Sequence, residues 1–320
     1  MASGILGQSD LKQQAFAVRR TYFPDEIDFY APGLKRYSTE EFEQKRPRAF
    51  LPISLTGSSC ALQCDHCESK ILEPMISPAK DESLFYLCKR LSDSGTEGVL
   101  ISGGSSPITG GVPLLKFTHD IARIKSELGL RVFVHTGLVC EKTAAELKNA
   151  GVDGVMIDVI GADETIRDVY HLNFSVKDFD RSLELLMKYG HSVRPHIILG
   201  LHYGKFIGEY SALEMIAQYS VHALILVILT PLAGTAMQNT KPPEVSEIEN
   251  FFQESRLRLP RTPILLGCAR PPGKHKEAVD RAAVDCGLNG IAYPAEGIVA
   301  YSGSKGLKPN FHEKACSCGC

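Results

Sequence analysis

The 320-residue sequence has no excess of charge of either sign. Its 35 Lys and Arg stand against 37 Asp and Glu, a formal net charge of −2. Without a basic surplus it is poorly suited to gripping a nucleic-acid backbone or an anionic membrane, and neither partner is expected. It lacks a long apolar run as well. The longest, Ala223 to Leu229, falls far short of the roughly 20 residues a membrane-spanning helix needs. The opening MASGILGQSDLKQQ has no apolar core of a secretory leader, so the expected compartment is the cytoplasm. Ten cysteines are too few for a disulfide scaffold in a chain this long. In a reducing compartment, clustered cysteines read instead as metal ligands or reactive thiols. A composition of 44% hydrophobic and 22% charged residues excludes wholesale disorder and a fibrous chain.

What is present is alternation. Short apolar or β-branched runs recur at Ala49–Leu55, Gly98–Ser102, Arg131–His135, Gly154–Ile160, Arg194–Leu199, Ala223–Thr230, Pro263–Cys268 and Gly290–Tyr293. Most are nearly continuous in apolar residues, as parallel strands covered by helices are. Amphipathic stretches lie between them, clearest at Asp81–Ser94, Pro113–Leu128, Glu141–Ala150 and Val176–Tyr189, and Gly95, Gly129, Gly151 and Gly190 follow as stop signals. Eight βα units in about 250 residues is the arithmetic of a (β/α)8 TIM-type barrel of the α/β class. An open doubly wound sheet carries the same local signals and remains the competing fold. Residues 1–48, with a helix expected over Asp10–Arg20 and an irregular FYAPGLKRY segment, read as an extension packed on the barrel. The barrel itself is expected over 49–303. Residues 304–320, ending in CSCGC, read as a tail fixed only by what its cysteines bind.

The sharpest signal is SSCALQCDHC, which sets Cys60, Cys64 and Cys67 in a C-x3-C-x2-C pattern directly after the first expected strand. Three thiolates supply three corners of a cubane iron–sulfur cluster, which ordinarily takes four. A vacant corner is where a metal centre does chemistry, and the C-terminal mouth of a barrel is where barrel enzymes keep their sites. The competing reading is a structural zinc held by the three cysteines and His66, although no second knuckle sits at suitable spacing. Cys316, Cys318 and Cys320 form a second trio. In an extended segment they share one face and could grip a second cluster, with Cys268 of LLGCARPPG as the preferred fourth ligand. Cys88 and Cys286 fall in helical patterns and read as small buried hydrophobes.

The triplet after a first barrel strand resembles the radical S-adenosylmethionine (SAM) superfamily. His66 fills the aromatic slot before its third cysteine, and Gly103-Gly104-Ser105 resembles its Gly-Gly-Glu motif, with Ser105 in place of Glu. The likeness runs over nearly the whole chain and is strongest to biotin-synthase-like proteins. HTGLV, IDVIGADETIRDVYHLN, RPHIILGLHYGKFIGE, PLAGTAM and LGCARPPG resemble the branch that includes the paired, archaeal-type lipoyl synthases. The resemblance implies a 4Fe–4S cluster on Cys60, Cys64 and Cys67 that binds and cleaves SAM. It also implies a SAM pocket at Gly103, Gly104 and Ser105, with Asp158 at the ribose. His135 and His196 point at the same mouth if the barrel is right, and each has an equally ordinary reading as a hydrogen-bonded core residue. Glu209 resembles a family glutamate near the adenine, but as a carboxylate at a helix N-terminus it has a simpler explanation.

Departures from the family narrow the expectation. Biotin synthase holds its sulfur-donating 2Fe–2S cluster with cysteines on inner strands and an arginine. GVLISGG, RVFVHTG and RPHIILG contain no cysteine, and only the arginine has a counterpart, Arg270. The N-terminal cysteine motif of single-protein lipoyl synthases is absent too. An auxiliary 4Fe–4S cluster on the C-terminal trio suits the paired type. Sulfur would then be inserted into an octanoyl group on a lysine of a lipoyl carrier protein or lipoyl domain, beside a second radical SAM component and a low-potential ferredoxin or flavodoxin. Arg270 is expected at the catalytic site. The alternatives are a biotin-synthase-like enzyme or mutase acting on a small molecule, and a non-catalytic iron–sulfur or zinc module.

Overall fold

The computed structural model describes residues 8–318. Ten strands are present among the described residues: β1 (Glu26–Tyr30), β2 (Phe50–Ser54), β3 (Gly98–Ser102), β4 (Arg131–His135), β5 (Gly154–Asp158), β6 (Val193–Leu199), β7 (Leu224–Ile228), β8 (Ile264–Leu266), β9 (Gly290–Ala292) and β10 (Lys308–His312). All pair in parallel in one sheet of order β10-β1-β9-β8-β7-β6-β5-β4-β3-β2. From β2 to β9 each strand lies beside the next in sequence, and these are the eight runs expected. A doubly wound sheet reverses its strand order partway, so the sequential order excludes it. The sheet curls, because residues from distant strands meet inside it. One cavity is walled by Phe50 of β2, Met156 of β5 and Ile225 of β7 together.

Alternation along the strands sorts side chains between two layers. Leu51, Ile53, Val132, Val134, Val155, Ile157, Leu224 and Leu226 belong to the main core beneath the helices. Their neighbours Phe50, Phe133 and Met156 turn inward to a separate interior cluster. The same parity turns His135, Asp158 and His196 toward the interior. Register completes the placement, since Asp158 lies directly opposite His196.

The outer layer is built from α1 (Gln8–Tyr22), α2 (Leu84–Asp93), α3 (Thr118–Arg123), α4 (Glu141–Asn149), α5 (Asp163–Asp168), α6 (Val176–Lys188), α7 (Glu209–Ile216), α8 (Val245–Arg258), α9 (Lys274–Asp285) and α10 (Ile298–Ser304). The helix α6 shows why such a segment stands. Ser175 and Asp178 close a reciprocal capping box, and Phe179, Leu183 and Leu186 bury its inner stripe. The expected helix over Pro113–Leu128 is broken instead. A 3-10 turn at Leu114–Phe117 leads into α3, and a π turn follows to Gly129, whose left-handed φ of 65° stops it.

Both ends correct the sequence reading. The segment 1–48 does not merely pack on the barrel: β1 is inserted between β9 and β10. The segment 304–320 is not tied by its cysteines alone, since β10 pairs with β1 over five residues. His312 Nε2 is 2.9 Å from Asp28 Oδ1, and Glu313 accepts from the backbone N–H groups of Lys45 and Arg46. Residues Cys316–Cys318 then form a buried 3-10 turn, not an extended segment. Cys316 packs with Tyr30, Ile225 and Leu265, and Cys318 with Phe50, Phe133 and Met156. Cys320 lies outside the described residues.

Candidate active site

The cysteine loop grows from the end of β2. Thr56 and Gly104 tie it to β3, because Gly104 N donates to Thr56 Oγ1 at 2.7 Å. A Cβ on Gly104 would stand 2.2 Å from Ser59 O and 2.5 Å from Cys60 Cα. The second glycine of the motif is therefore required by the cysteine loop itself, which occupies the space of the missing side chain. Gly103 and Ser105 line a cavity of about 110 Å³ together with Cys60, Cys64, Cys67, His66, His135, Asp158 and Tyr170. The structure thus gathers the triplet, the glycine-rich strand end and two strand-end side chains around one space. His196 reaches this group through Asp158, and it lines a second cavity deeper in the barrel.

The thiols are close enough to share a proton. The Cys64 thiol donates to Cys67, which raises Cys64, as does burial, and lowers Cys67 against burial, with help from His66. Cys64 Sγ is 3.9 Å from Tyr170 O and Cys60 Sγ 4.0 Å from Ser105 O. The buried His66 Nδ1 has no hydrogen-bond partner, and its ring lies against Tyr170 at 5.2 Å. Three thiols around one cavity, beside an orphaned imidazole nitrogen, fit a cluster with three protein ligands.

The loop is also clamped across the mouth by its own acids. Asp65 accepts from His171 Nε2 at 2.8 Å and from the Tyr203 hydroxyl. Glu68 accepts from Ala236 N at 2.6 Å. Gln63, Glu68, Ser69, His171 and Tyr203 all hold left-handed φ between 42° and 63°, a strain that persists only where the surroundings impose it.

Beneath the thiols lies a polar trio. His135 Nε2 is 3.4 Å from Asp158 Oδ1, and the His135 and His196 rings meet edge-on at 5.5 Å. Burial works against the His135 imidazolium, but the Asp158 carboxylate outweighs it and the His135 pKa is raised. Burial likewise works against the carboxylate, and the His135 charge prevails, holding Asp158 at about 2. Burial and then the His135 charge press His196 down to about 4. The trio therefore sets His135 against the Asp158 carboxylate and keeps the His196 ring neutral near pH 7. In that neutral ring Nδ1 donates to Arg194 O at 3.1 Å, which leaves Nε2 as an acceptor. Tyr170, which sequence reasoning missed, donates its hydroxyl to Asp158 Oδ2 at 3.4 Å.

Two further expectations are resolved. Arg270 does not line the mouth cavity. Its guanidinium is spent on Asp280, with Nε 2.6 Å from Oδ1, and on the carbonyls of Gly267, Ala292 and Tyr293. Both side chains are wholly buried. It is a clamp joining the ends of β8 and β9 to α9. Glu209 follows its simpler reading, its carboxylate accepting from Gly200 N, Ile207 N and Gly208 N at the start of α7. Cys268 packs beside Cys316 and lines the same interior cavity. A hydrogen bond from the Cys316 thiol lowers the Cys268 thiol, burial opposes this, and Arg270 and Lys35 add to the lowering.

A curled parallel sheet with three thiols around one cavity at its C-terminal mouth is the architecture of an enzyme that could hold an iron–sulfur cluster and a small cofactor there. Residues 54–205 match the family model of the Radical SAM superfamily. The chain is 24% identical over 247 residues to a biotin synthase of Cenarchaeum symbiosum, covering 74% of each. It is 28% identical over 174 residues to a biotin synthase of Chlorobium limicola, covering about half (51%) of each. Among solved structures, methylornithine synthase (PylB) superposes with a TM-score of 0.60 at 16% identity, covering 97% of this chain and 91% of that one. The hydrogenase maturase HydG of Carboxydothermus hydrogenoformans gives 0.65 at 17%, covering 95% and 72%. These two show the fold. The match over residues 54–205 and the biotin synthase relatives support a biotin-synthase-like likeness to the radical SAM superfamily, which implies a 4Fe–4S cluster and SAM as cofactors. No helix among the described residues is long and apolar enough to cross a membrane.

Proposed function

We propose that this radical SAM enzyme inserts sulfur into an unactivated C–H bond of an octanoyl group carried on a lysine of a lipoyl carrier protein or lipoyl domain. On this reading it is one component of a paired lipoyl synthase, working beside a second radical SAM component and fed by a low-potential ferredoxin-type donor. A cluster and SAM bound at the mouth would supply the one-electron chemistry that such a bond needs. The chain's own residues do the rest. Cys60, Cys64 and Cys67 would hold the cluster, and Gly103, Ser105 and Asp158, which line the same cavity, would face the cofactor. The His135–Asp158 pair and the clamped loop keep the space shaped and shielded from water.

The observation that carries the reading is the second thiol centre inside the same barrel. Cys268 and Cys316 meet across a hydrogen bond, with Cys318 on the same buried turn. An auxiliary cluster there is the proposed sulfur source. The biotin synthase relatives favour a second reading, sulfur insertion into a small molecule. Mass spectrometry of an octanoyl-lysyl peptide incubated anaerobically with protein, SAM and reductant separates the two. A gain of sulfur on the peptide supports the first; an unchanged peptide with SAM consumed removes it in favour of the second.

A further inference from the structure

Between the mouth cavity and a second one of about 210 Å³ deeper in the barrel stand His135, Asp158 and His196, and His135 lines both spaces. The three come from adjacent strands, β4, β5 and β6. Register sets Asp158 opposite His196, and His135 opposite Met156, the inward position before Asp158. One ring nitrogen from each histidine and one carboxylate oxygen all lie within 4.8 Å of one another. His135 Nε2 stands 3.4 Å from Asp158 Oδ1. That is long for a hydrogen bond, which favours about 2.9 Å. It matches the ligand-to-ligand edge of a tetrahedron with bonds of about 2.1 Å to a central ion.

Outer contacts orient two of the three side chains. His196 Nδ1 donates to Arg194 O at 3.1 Å, which leaves a lone pair on Nε2. Asp158 Oδ2 accepts from the Tyr170 hydroxyl at 3.4 Å, which leaves Oδ1 on the His135 side. Metal-binding side chains are steered in this way, by a second hydrogen bond behind the ligand atom. Arg194, the cation on the same strand as His196, has its Nη1 engaged by Ser192 O and Oγ at 3.1 and 2.8 Å. Two imidazoles and a carboxylate are a donor set for zinc, nickel or ferrous iron, not for magnesium or calcium, which take oxygen. Three protein ligands leave a further position for water.

We propose that His135, Asp158 and His196 bind one divalent transition-metal ion in the SAM-free protein, and that this ion and SAM exclude one another at Asp158. The exclusion rests on the SAM pocket proposed above; the ion site does not. Zinc then competes with the cofactor without touching either thiol centre. The test uses anaerobically reconstituted protein, with any thiol left free capped by iodoacetamide, given one equivalent of zinc. About one zinc per chain should survive desalting, with iron unchanged. X-ray absorption at the zinc edge should show nitrogen and oxygen at about 2.0–2.1 Å and no sulfur at about 2.3 Å. His135→Gln and His196→Gln should each weaken zinc binding about tenfold or more. Saturating SAM should release the ion, and zinc should weaken SAM by the same factor that SAM weakens zinc. Sulfur around the zinc, undiminished zinc in both variants, or zinc and SAM binding independently would overturn the proposal. Should a variant fail to fold, the wild-type absorption spectrum and the SAM competition decide. None of these readings needs an acyl substrate. Failed sulfur insertion therefore leaves them standing, and their failure leaves sulfur insertion standing.

Discussion

Each residue of the site is fixed by a neighbour that leaves little room for exchange. Gly104→Ala would press a methyl into the Cys60 backbone, where no side chain can give way. It should cost about 1–3 kcal/mol and lower the iron content of the mouth cluster, read by denaturation and iron analysis. Normal iron and stability would contradict the packing account. Arg270→Met should cost about 3 kcal/mol, because it leaves the buried Asp280 carboxylate with Lys276, 3.8 Å away, as its remaining counter-charge. The double variant Arg270→Met/Asp280→Leu should recover much of that loss; a single variant as stable as wild type would restore Arg270 to the functional site. For the polar pair the sign follows from its two shifts. The His135 pKa is raised, so its contribution is full below the ordinary value of about 6.5 and fades as pH climbs through the raised one. Asp158 is held at about 2, so its contribution is present above the ordinary value of about 3.9 and lost as pH falls toward 2. Asp158→Asn should therefore destabilise most between about pH 4 and 6.5, by about 1–3 kcal/mol. A destabilisation that grows steadily above pH 8 would contradict the pairing.

At the scale of elements, the C-terminal segment is a strand, a latch and a buried turn in succession. Removing residues 313–320 should leave the mouth cluster intact and reduce iron from about eight to about four per chain. Glu313→Gln, which weakens the hold on Lys45 and Arg46, should lower only the second centre's occupancy. Equal iron with and without the tail would remove that centre. The eight central strands were legible in the sequence because they are continuous apolar runs, and their parity was enough to turn His135, Asp158 and His196 inward. The strand β1 was not, since EIDFY alternates over five residues only and its partner β10 lies at the other end of the chain. The motif cysteines were legible from spacing alone. The role of Arg270 was not, because Asp280 stands on a helix that only the fold brings back. Tyr170 lies within the IDVIGADETIRDVYHLN segment, but no spacing marks its role, and only the fold sets it between Cys64 and Asp158.

At the scale of the whole molecule, two thiol centres share one curled sheet, separated by a histidine–aspartate pair and joined by adjoining cavities. The sheet has open edges at β2 and β10, and Ile76 blunts the first by a single bridge to Ile53. Everything functional hangs on what the triplet holds. Anaerobically reconstituted protein, given SAM and dithionite, can be assayed directly for 5′-deoxyadenosine alongside its iron and zinc content. The structure predicts deoxyadenosine from the wild type, and neither product nor mouth-cluster iron from the Cys60/Cys64/Cys67→Ala variant. Zinc in place of iron, or deoxyadenosine formed equally by that variant, would contradict it.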